Sequence, residues 1–138
     1  MPPTRLQVPP NSDLTLGMVC TDKVTPGRSV WTMLADERFA NPAGILQGGF
    51  VGAFADSAMG AAAVTFVAGR KVLAANAEMK VSFLAAVPVG ATMVCEAQVV
   101  AGGSRVAFVE ATVTADGALV ARATSTYLFR DRKPVPTS

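Results

Sequence analysis

Histidine does not occur among the 138 residues. Its absence removes a Ser-His-Asp triad, a Cys-His pair and any metal site built on imidazole. Cysteine occurs twice, as Cys20 and Cys95, far apart and both within predicted strands. With no secretory leader in view, two structural thiols in a reducing cytoplasm are expected rather than a disulfide. With so few cysteines and no clustered acids, no metal site is expected either. Charge is scarce as well: 16% of residues are charged and the net charge is +2. The basic residues are scattered, apart from Arg130, Arg132 and Lys133, and aromatics do not interleave with them. Nucleic acid is therefore not an expected partner.

What the chain has instead is apolar residues, at 51% of the total. That exceeds ordinary usage and argues for a buried interface beyond a monomer's own core. A homo-oligomer is expected. No linker or internal repeat divides the chain, so one domain is expected over residues 14–131. A flexible lead-in over 1–13 carries the four prolines of MPPTRLQVPP, and a short tail covers 132–138.

Periodicity orders the elements. Leu16–Val24 and Ser29–Leu34 read as a hairpin of strands around the turn Pro26-Gly27. A helix is expected over Gly49–Val67, rich in alanine and apolar nearly all round, which implies burial on all sides. About 20 such residues would also span a bilayer. Asp56, the interior glycines and the strand-rich remainder speak against that reading, and no membrane partner is expected. From Val72 to Leu84 the pattern alternates, with Leu73, Ala75, Ala77, Met79, Val81 and Phe83 on one face and Asn76, Glu78, Lys80 and Ser82 on the other. Strands over Thr92–Ala101, Arg105–Thr114 and Leu119–Phe129 follow, joined by short turns of which Asp116-Gly117 is the clearest. The fold class implied is α+β, an antiparallel β-sheet wrapped around one long central helix.

The stretch NPAGILQGGFVGAFADSAMG, from Asn41 to Gly60, holds the candidate chemistry. Gly48-Gly49 opens the helix, where unpaired N–H groups and the helix dipole suit the oxygen of a polarised carbonyl. The alternative is that the two glycines only make a tight entry turn. Asp56 is the one ionisable group in an apolar run. It either activates water or attacks a carbonyl, or it is a buried acid bonded to backbone or to an arginine. Asn41 serves its turn, or its amide orients a carbonyl oxygen or a water. Asp56 lies eight residues beyond Gly48, roughly 12 Å along a helix. A carbonyl held at Gly48 is out of reach of Asp56 in the same chain, so joint action of the two requires a two-fold dimer with antiparallel helices. Gly49 and Ala53, four apart, permit close backbone approach to a sheet or to a twin helix.

The same stretch resembles the signature of hotdog-fold acyl-CoA thioesterases of the phenylacetate-degradation type, N-x-x-G-x-x-H-G-G with an acid seven residues after the second glycine. The strand ANAEMKVSFL resembles that family's next strand, and the likeness spans about Leu16 to Arg130. The resemblance implies a hotdog fold and a cytoplasmic enzyme that splits acyl-CoA into free acid and coenzyme A. The assembly implied is a dimer at least, with a dimer of dimers, a homotetramer, as the fuller form. It implies that Gly48 N–H polarises the thioester carbonyl and that Asp56 of the partner subunit is nucleophile or general base. Asn41 would place water or thioester, and Gln47 would support the loop. Substrate contacts are implied at Gly49, Asn76, Phe50, Arg105 and Lys80. Phe50, Phe54 and Met59 are candidate walls of an acyl slot, with at least two of the three expected to be core. Arg70 and Lys71 are further cations for the nucleotide phosphates. No cofactor is expected, since coenzyme A belongs to the substrate.

Two departures stand out. Gln47 replaces the usual His and cannot titrate near neutral pH, and Ala85-Ala86 replaces a frequent Arg-Pro. The first motivates a second reading, a non-hydrolytic acyl-CoA or acyl-ligand binding protein. A hotdog hydratase needs an acid-base pair that commonly uses His and is discounted. A purely structural oligomer is the remaining alternative.

Overall fold

The structure, a computed structural model, describes residues 6–133. In chain order the elements are α1 (Asn11–Leu16), β1 (Val19–Asp22), β2 (Arg28–Leu34), a 3₁₀ turn (Glu37–Phe39), α2 (Gly48–Phe66), β3 (Val72–Phe83), β4 (Thr92–Gly102), β5 (Val106–Ala115) and β6 (Ala118–Asp131). The six strands form one sheet in the order β1-β2-β4-β5-β6-β3, with every pairing antiparallel. Alternation along β4, β5 and β6 sends every second side chain to the face that carries α2. This is the expected α+β hotdog architecture.

Helix α2 lies across that face and packs on β2 through β6. Phe54, Ala55, Ala58, Met59, Ala62 and Ala63 are completely buried. Enclosing Phe54 alone contributes roughly 2–3 kcal/mol. The helix is anchored mid-length by Ser29, fully buried, whose Oγ donates to the Ala58 carbonyl at 2.6 Å. By length and by a mean hydropathy of 1.3 it could cross a membrane, but here its apolar bulk is taken up by the sheet. Burial on all sides, however, is not what the single chain provides. The stripe Gly49, Ala53, Ser57, Ala61 and Val64 stays partly or fully uncovered, with Val64 at 43% exposure. Among the glycines of α2, the closest approach to the sheet is at Gly48, where a β-carbon would stand 3.2 Å from the Phe83 ring, whereas one on Gly49 would meet nothing within 4 Å.

Two local departures have physical reasons. The first strand begins at Val19 rather than Leu16, because Asn11–Leu16 close into a helical turn ended by Gly17 at φ 73. Its left-handed backbone caps the turn, with Gly17 N–H donating to Leu14 O at 3.2 Å and Met18 N–H to Asp13 O at 3.1 Å. Asn11–Asp13 of the expected lead-in thus belong to α1; residues 1–5 of it, and 134–138 of the tail, lie outside the described residues.

The second departure is in β3. Asn76 pairs with Tyr127 and Glu78 with Thr126, leaving Ala77 as a bulge. A single extra residue inverts the faces on either side of it. Ala74 and Asn76 therefore share the helix side with Met79, Val81 and Phe83, which stand opposite Phe129, Tyr127, Ser125, Ala123 and Ala121. The continuous alternation expected from Leu73 to Phe83 is wrong before the bulge, and Asn76 is on the helix side rather than with Glu78 and Lys80.

Candidate active site

The loop before α2 is built on Asn41. Its Oδ1 accepts from Ala43 N–H at 2.9 Å and Ile45 N–H at 3.3 Å, while its backbone N–H donates to Ile45 O at 2.7 Å. Gly44, at φ 77, completes the turn. Two backbone donors on one atom fix the amide orientation, so Nδ2 is the end left over, and Asn41 lines a cleft at the start of α2. Asn41 thus serves its turn with one atom and retains a donor with the other.

That cleft has a volume of about 370 Å³ and runs between Asn41, Gly48, Val51, Phe83 and Leu84. Gly48 and Gly49 start the helix with ordinary negative φ, so neither is needed for an entry turn. Gly48 is small because the Phe83 ring lies against it, whereas a β-carbon on Gly49 would meet nothing within 4 Å. Neither N–H has an acceptor among the described residues. Gln47 is the N-cap; its backbone N–H donates to Phe39 O at 2.8 Å, and its exposed side chain makes no capping bond.

Asp56 is half-buried and points from α2 towards β3 and β6. Asn76 Nδ2 donates to its Oδ1 at 2.9 Å, and Tyr127 Oη donates to the same oxygen at 2.5 Å. Ser125 Oγ donates to Asn76 Oδ1 at 3.0 Å. None of the ion pairs among the described residues includes Asp56. Among the described residues, then, no arginine neutralises the acid. Burial, followed by the hydrogen bond to the Asp56 carboxylate and its charge, pushes the Tyr127 phenol well above its usual range, so Tyr127 stays a donor.

The remaining candidates disperse. Phe50 is stacked on Phe39, with ring centroids 4.3 Å apart, and ties the loop to the helix instead of lining the cleft. Phe54 and Met59 are plain core, as expected of two of the three. Lys80 stands opposite Thr124 on the far face of the sheet, in a separate hollow of about 490 Å³ with Arg28, Glu96, Glu110 and Arg122. It cannot reach Asp56 or Gly48 of its own chain, because the strand's alternation turns it away. Arg105 is exposed on the β4–β5 turn, at the Phe66 end of α2, so the length of the helix separates it from Gly48. Arg70 is engaged beside it, bonded to Asp131 Oδ1 at 2.9 Å and Ser104 O at 2.6 Å. Tyr127, Ser125 and Phe83 were not singled out by sequence. Their signal is the strand alternation that turns them towards the helix, and it does not distinguish a site residue from core.

Comparison with known proteins agrees with this fold. The sequence profile described as Thioesterase superfamily matches residues 43–121. Among solved structures, the chain is similar to a thioesterase family protein from Silicibacter pomeroyi, at 28% identity and TM-score 0.82, covering 90% of this chain and 92% of that one. It is similar to a phenylacetic acid degradation-related protein from Ralstonia eutropha JMP134, at 28% identity and TM-score 0.78, covering 86% and 89%. A hypothetical thioesterase from Streptococcus pneumoniae TIGR4, solved with coenzyme A, shares the fold at 16% identity and TM-score 0.79, covering 88% and 94%. No curated protein sequence matches the chain.

Proposed function

Because the chain belongs to the thioesterase superfamily, we propose that it hydrolyses an acyl-CoA thioester, with a small, medium-chain or aryl acyl group, to the free acid and coenzyme A. The observation that carries this reading is the state of Asp56. Among the described residues, its Oδ1 takes two neutral donors, no cation pairs with it, and its Oδ2 takes no hydrogen bond. A structural carboxylate in an apolar helix is usually satisfied on both oxygens. This one keeps an oxygen for a reactant.

In the proposed reaction the thioester carbonyl lies at the start of α2, where Gly48 N–H and the helix dipole stabilise the negative charge that develops on oxygen. Asn41 Nδ2 donates into the same cleft. Asp56 either takes a proton from the attacking water, or attacks the carbonyl carbon to give an anhydride that water then opens. Either way the C–S bond breaks and coenzyme A leaves as the thiol.

With about 12 Å of helix between Gly48 and Asp56, the proposed reaction takes the two groups from different protomers. Strand β3 is the longer of the two edge strands of the sheet; Met79 is 39% and Phe83 57% exposed on it. A long apolar edge of this kind calls for a partner strand. Pairing β3 with its copy across a two-fold axis covers that edge, turns the uncovered stripe of α2 towards the second chain, and brings Asp56 of one protomer towards Gly48 of the other. The same reversal carries Arg105 and Lys71 from the far end of one helix towards the other protomer's cleft, where the nucleotide phosphates would need cations. A dimer of dimers, a cytoplasmic location and the absence of nucleic acid or membrane partners complete the proposal.

The test is Asp56→Asn, assayed on a panel of acyl-CoA substrates with thiol detection. Loss of turnover in a folded dimer supports the reading, and unchanged turnover overturns it. Gln47, which cannot act as an acid or base, favours one alternative: calorimetry showing tight thioester binding by the unmodified protein without any hydrolysis would mark it as a binding protein.

A further inference from the structure

We propose that Tyr127 is the positioning residue of Asp56: its buried hydroxyl, with the amide of Asn76, pins Oδ1 of the carboxylate and leaves Oδ2 as the reacting atom. The proposal deepens the hydrolytic reading above and rests on it.

Tyr127 is the one tyrosine in the chain. It sits on β6 with 2% exposure, directly opposite Asn76 across the β3–β6 pairing. Its ring reaches the helix beside Gly60, where a β-carbon would stand 3.5 Å from Tyr127 Cε1 and 3.7 Å from its hydroxyl oxygen. These are ordinary contact distances, so the phenol lies in direct packing contact with the helix. There the hydroxyl has one proton and two acceptors, Asp56 Oδ1 at 2.5 Å and the Asp56 carbonyl at 2.8 Å. The carboxylate is both nearer and charged, and charge-assisted bonds are the stronger, so the proton goes to Oδ1.

Asn76 provides the second donor, and its orientation is imposed in turn. Ser125, 5% exposed, has its Oγ 3.0 Å from Asn76 Oδ1 and 2.9 Å from the Glu78 carbonyl. With the amide oxygen facing that hydroxyl, Nδ2 faces Asp56. The bulge at Ala77 is what turns Asn76 to the helix side at all. Three elements, α2, β3 and β6, therefore converge on one carboxylate oxygen.

The described side chains bonded to Asp56 are neutral. Asn76 does not titrate, and Tyr127 holds its proton because burial and the adjacent carboxylate oppose ionisation. The donors consequently orient the carboxylate without placing a counter-charge on it. A short side chain with two free torsions would otherwise spread its two oxygens over several directions, and misplacement of a reacting group by an ångström is expensive in rate.

The experiment combines three variants of the full-length protein. In Tyr127→Phe, which keeps the buried ring, kcat should fall about 10- to 100-fold with KM nearly unchanged. Asn76→Ala should lower kcat in the same way with KM again nearly unchanged, and thermal melting checks that each variant is folded. Near-ultraviolet titration reads Tyr127 alone and needs no activity: its ionisation should come at lower pH in Asp56→Asn than in the wild type. An inactive Asp56→Asn beside a Tyr127→Phe with unaltered kcat overturns the positioning role and leaves the hydrolytic reading standing. A fully active Asp56→Asn overturns the hydrolytic reading itself. Tyrosine ionisation that is indifferent to Asp56→Asn shows the two groups uncoupled and also overturns the positioning role.

Discussion

The ring of Phe83 lies so close to Gly48 that a β-carbon on that glycine would stand 3.2 Å from both Cε1 and Cζ. The first peptide of α2 and the last residue of β3 thus form opposite lips of one cleft, and the glycine is required by contact rather than by backbone conformation. Gly48→Ala should push the half-exposed ring outward by a few tenths of an ångström. The fold should tolerate that, since alanine adds up to about 1 kcal/mol of helix preference over glycine. The oxyanion N–H and the cleft wall would be misaligned. We expect a melting temperature within a few degrees of wild type and kcat/KM lower by about 10-fold or more. Gly49→Ala is the control within one chain, because a β-carbon there meets nothing; any large effect of that change must come from a substrate or a second protomer.

Asn41 separates its two roles in a pair of variants. Asn41→Asp keeps the acceptor that holds Ala43 and Ile45 N–H but removes the amide donor that remains for the cleft. Stability should be nearly unchanged while turnover falls. Asn41→Ala also strips the loop of its acceptor and should cost about 1–2 kcal/mol in denaturant unfolding. Full activity of a stable Asn41→Asp protein would reduce Asn41 to a turn residue.

Much of this arrangement was legible in the sequence because its signals are local. Alternation marked the four later strands to within one or two residues, alanine content marked α2, and a single carboxylate in an apolar run singled out Asp56. The unread parts are those where a local signal is degenerate or the cause is distant. Ala77 is small and apolar enough for either face, so nothing in the pattern locates the bulge that redirects Asn76. Tyr127 reads as one more apolar position in β6, and its partner Asp56 is 71 residues away. Lys80 and Arg105 were selected by charge, which says nothing about the face or the end of the sheet they occupy. The six-residue α1 is too short for periodicity to detect.

The edge of β3 tests the composite site. Ala77 is exposed, has no partner on β6, and lies near the middle of the strand proposed to meet its own copy. Ala77→Lys should leave the single chain folded, since the side chain has open space, while placing two like charges near the two-fold axis. Sedimentation should show a smaller species than the wild type, circular dichroism should be unchanged, and activity should fall with the fraction of dimer. A monomer with full activity would refute a site shared between protomers.

Cys95 gives a pH dependence whose sign is fixed by burial. It is fully buried on β4, and desolvation, with a smaller contribution from the nearby charge of Glu96, pushes its thiol from 9.0 up to about 12. Between those values the unfolded chain has released the proton and the folded chain still binds it. The unfolded state then binds fewer protons, so stability must decrease as pH rises, by about 1.4 kcal/mol per pH unit for this one group. Below pH 9 the group contributes its full share and stability is flat with respect to it. Tyr127, also raised, adds a second loss of the same sign once pH passes the ordinary tyrosine value of about 10. Cys95→Ala should therefore show a shallower alkaline decline than wild type, by one proton's worth of slope, when unfolding free energies are measured in urea from pH 8 to pH 11. The same burial makes Cys95 inert to thiol reagents in the native protein, while the half-exposed Cys20 reacts. One thiol should label without denaturant and two with it. Equal labelling of both in the native state would contradict the buried position of Cys95 beneath α2.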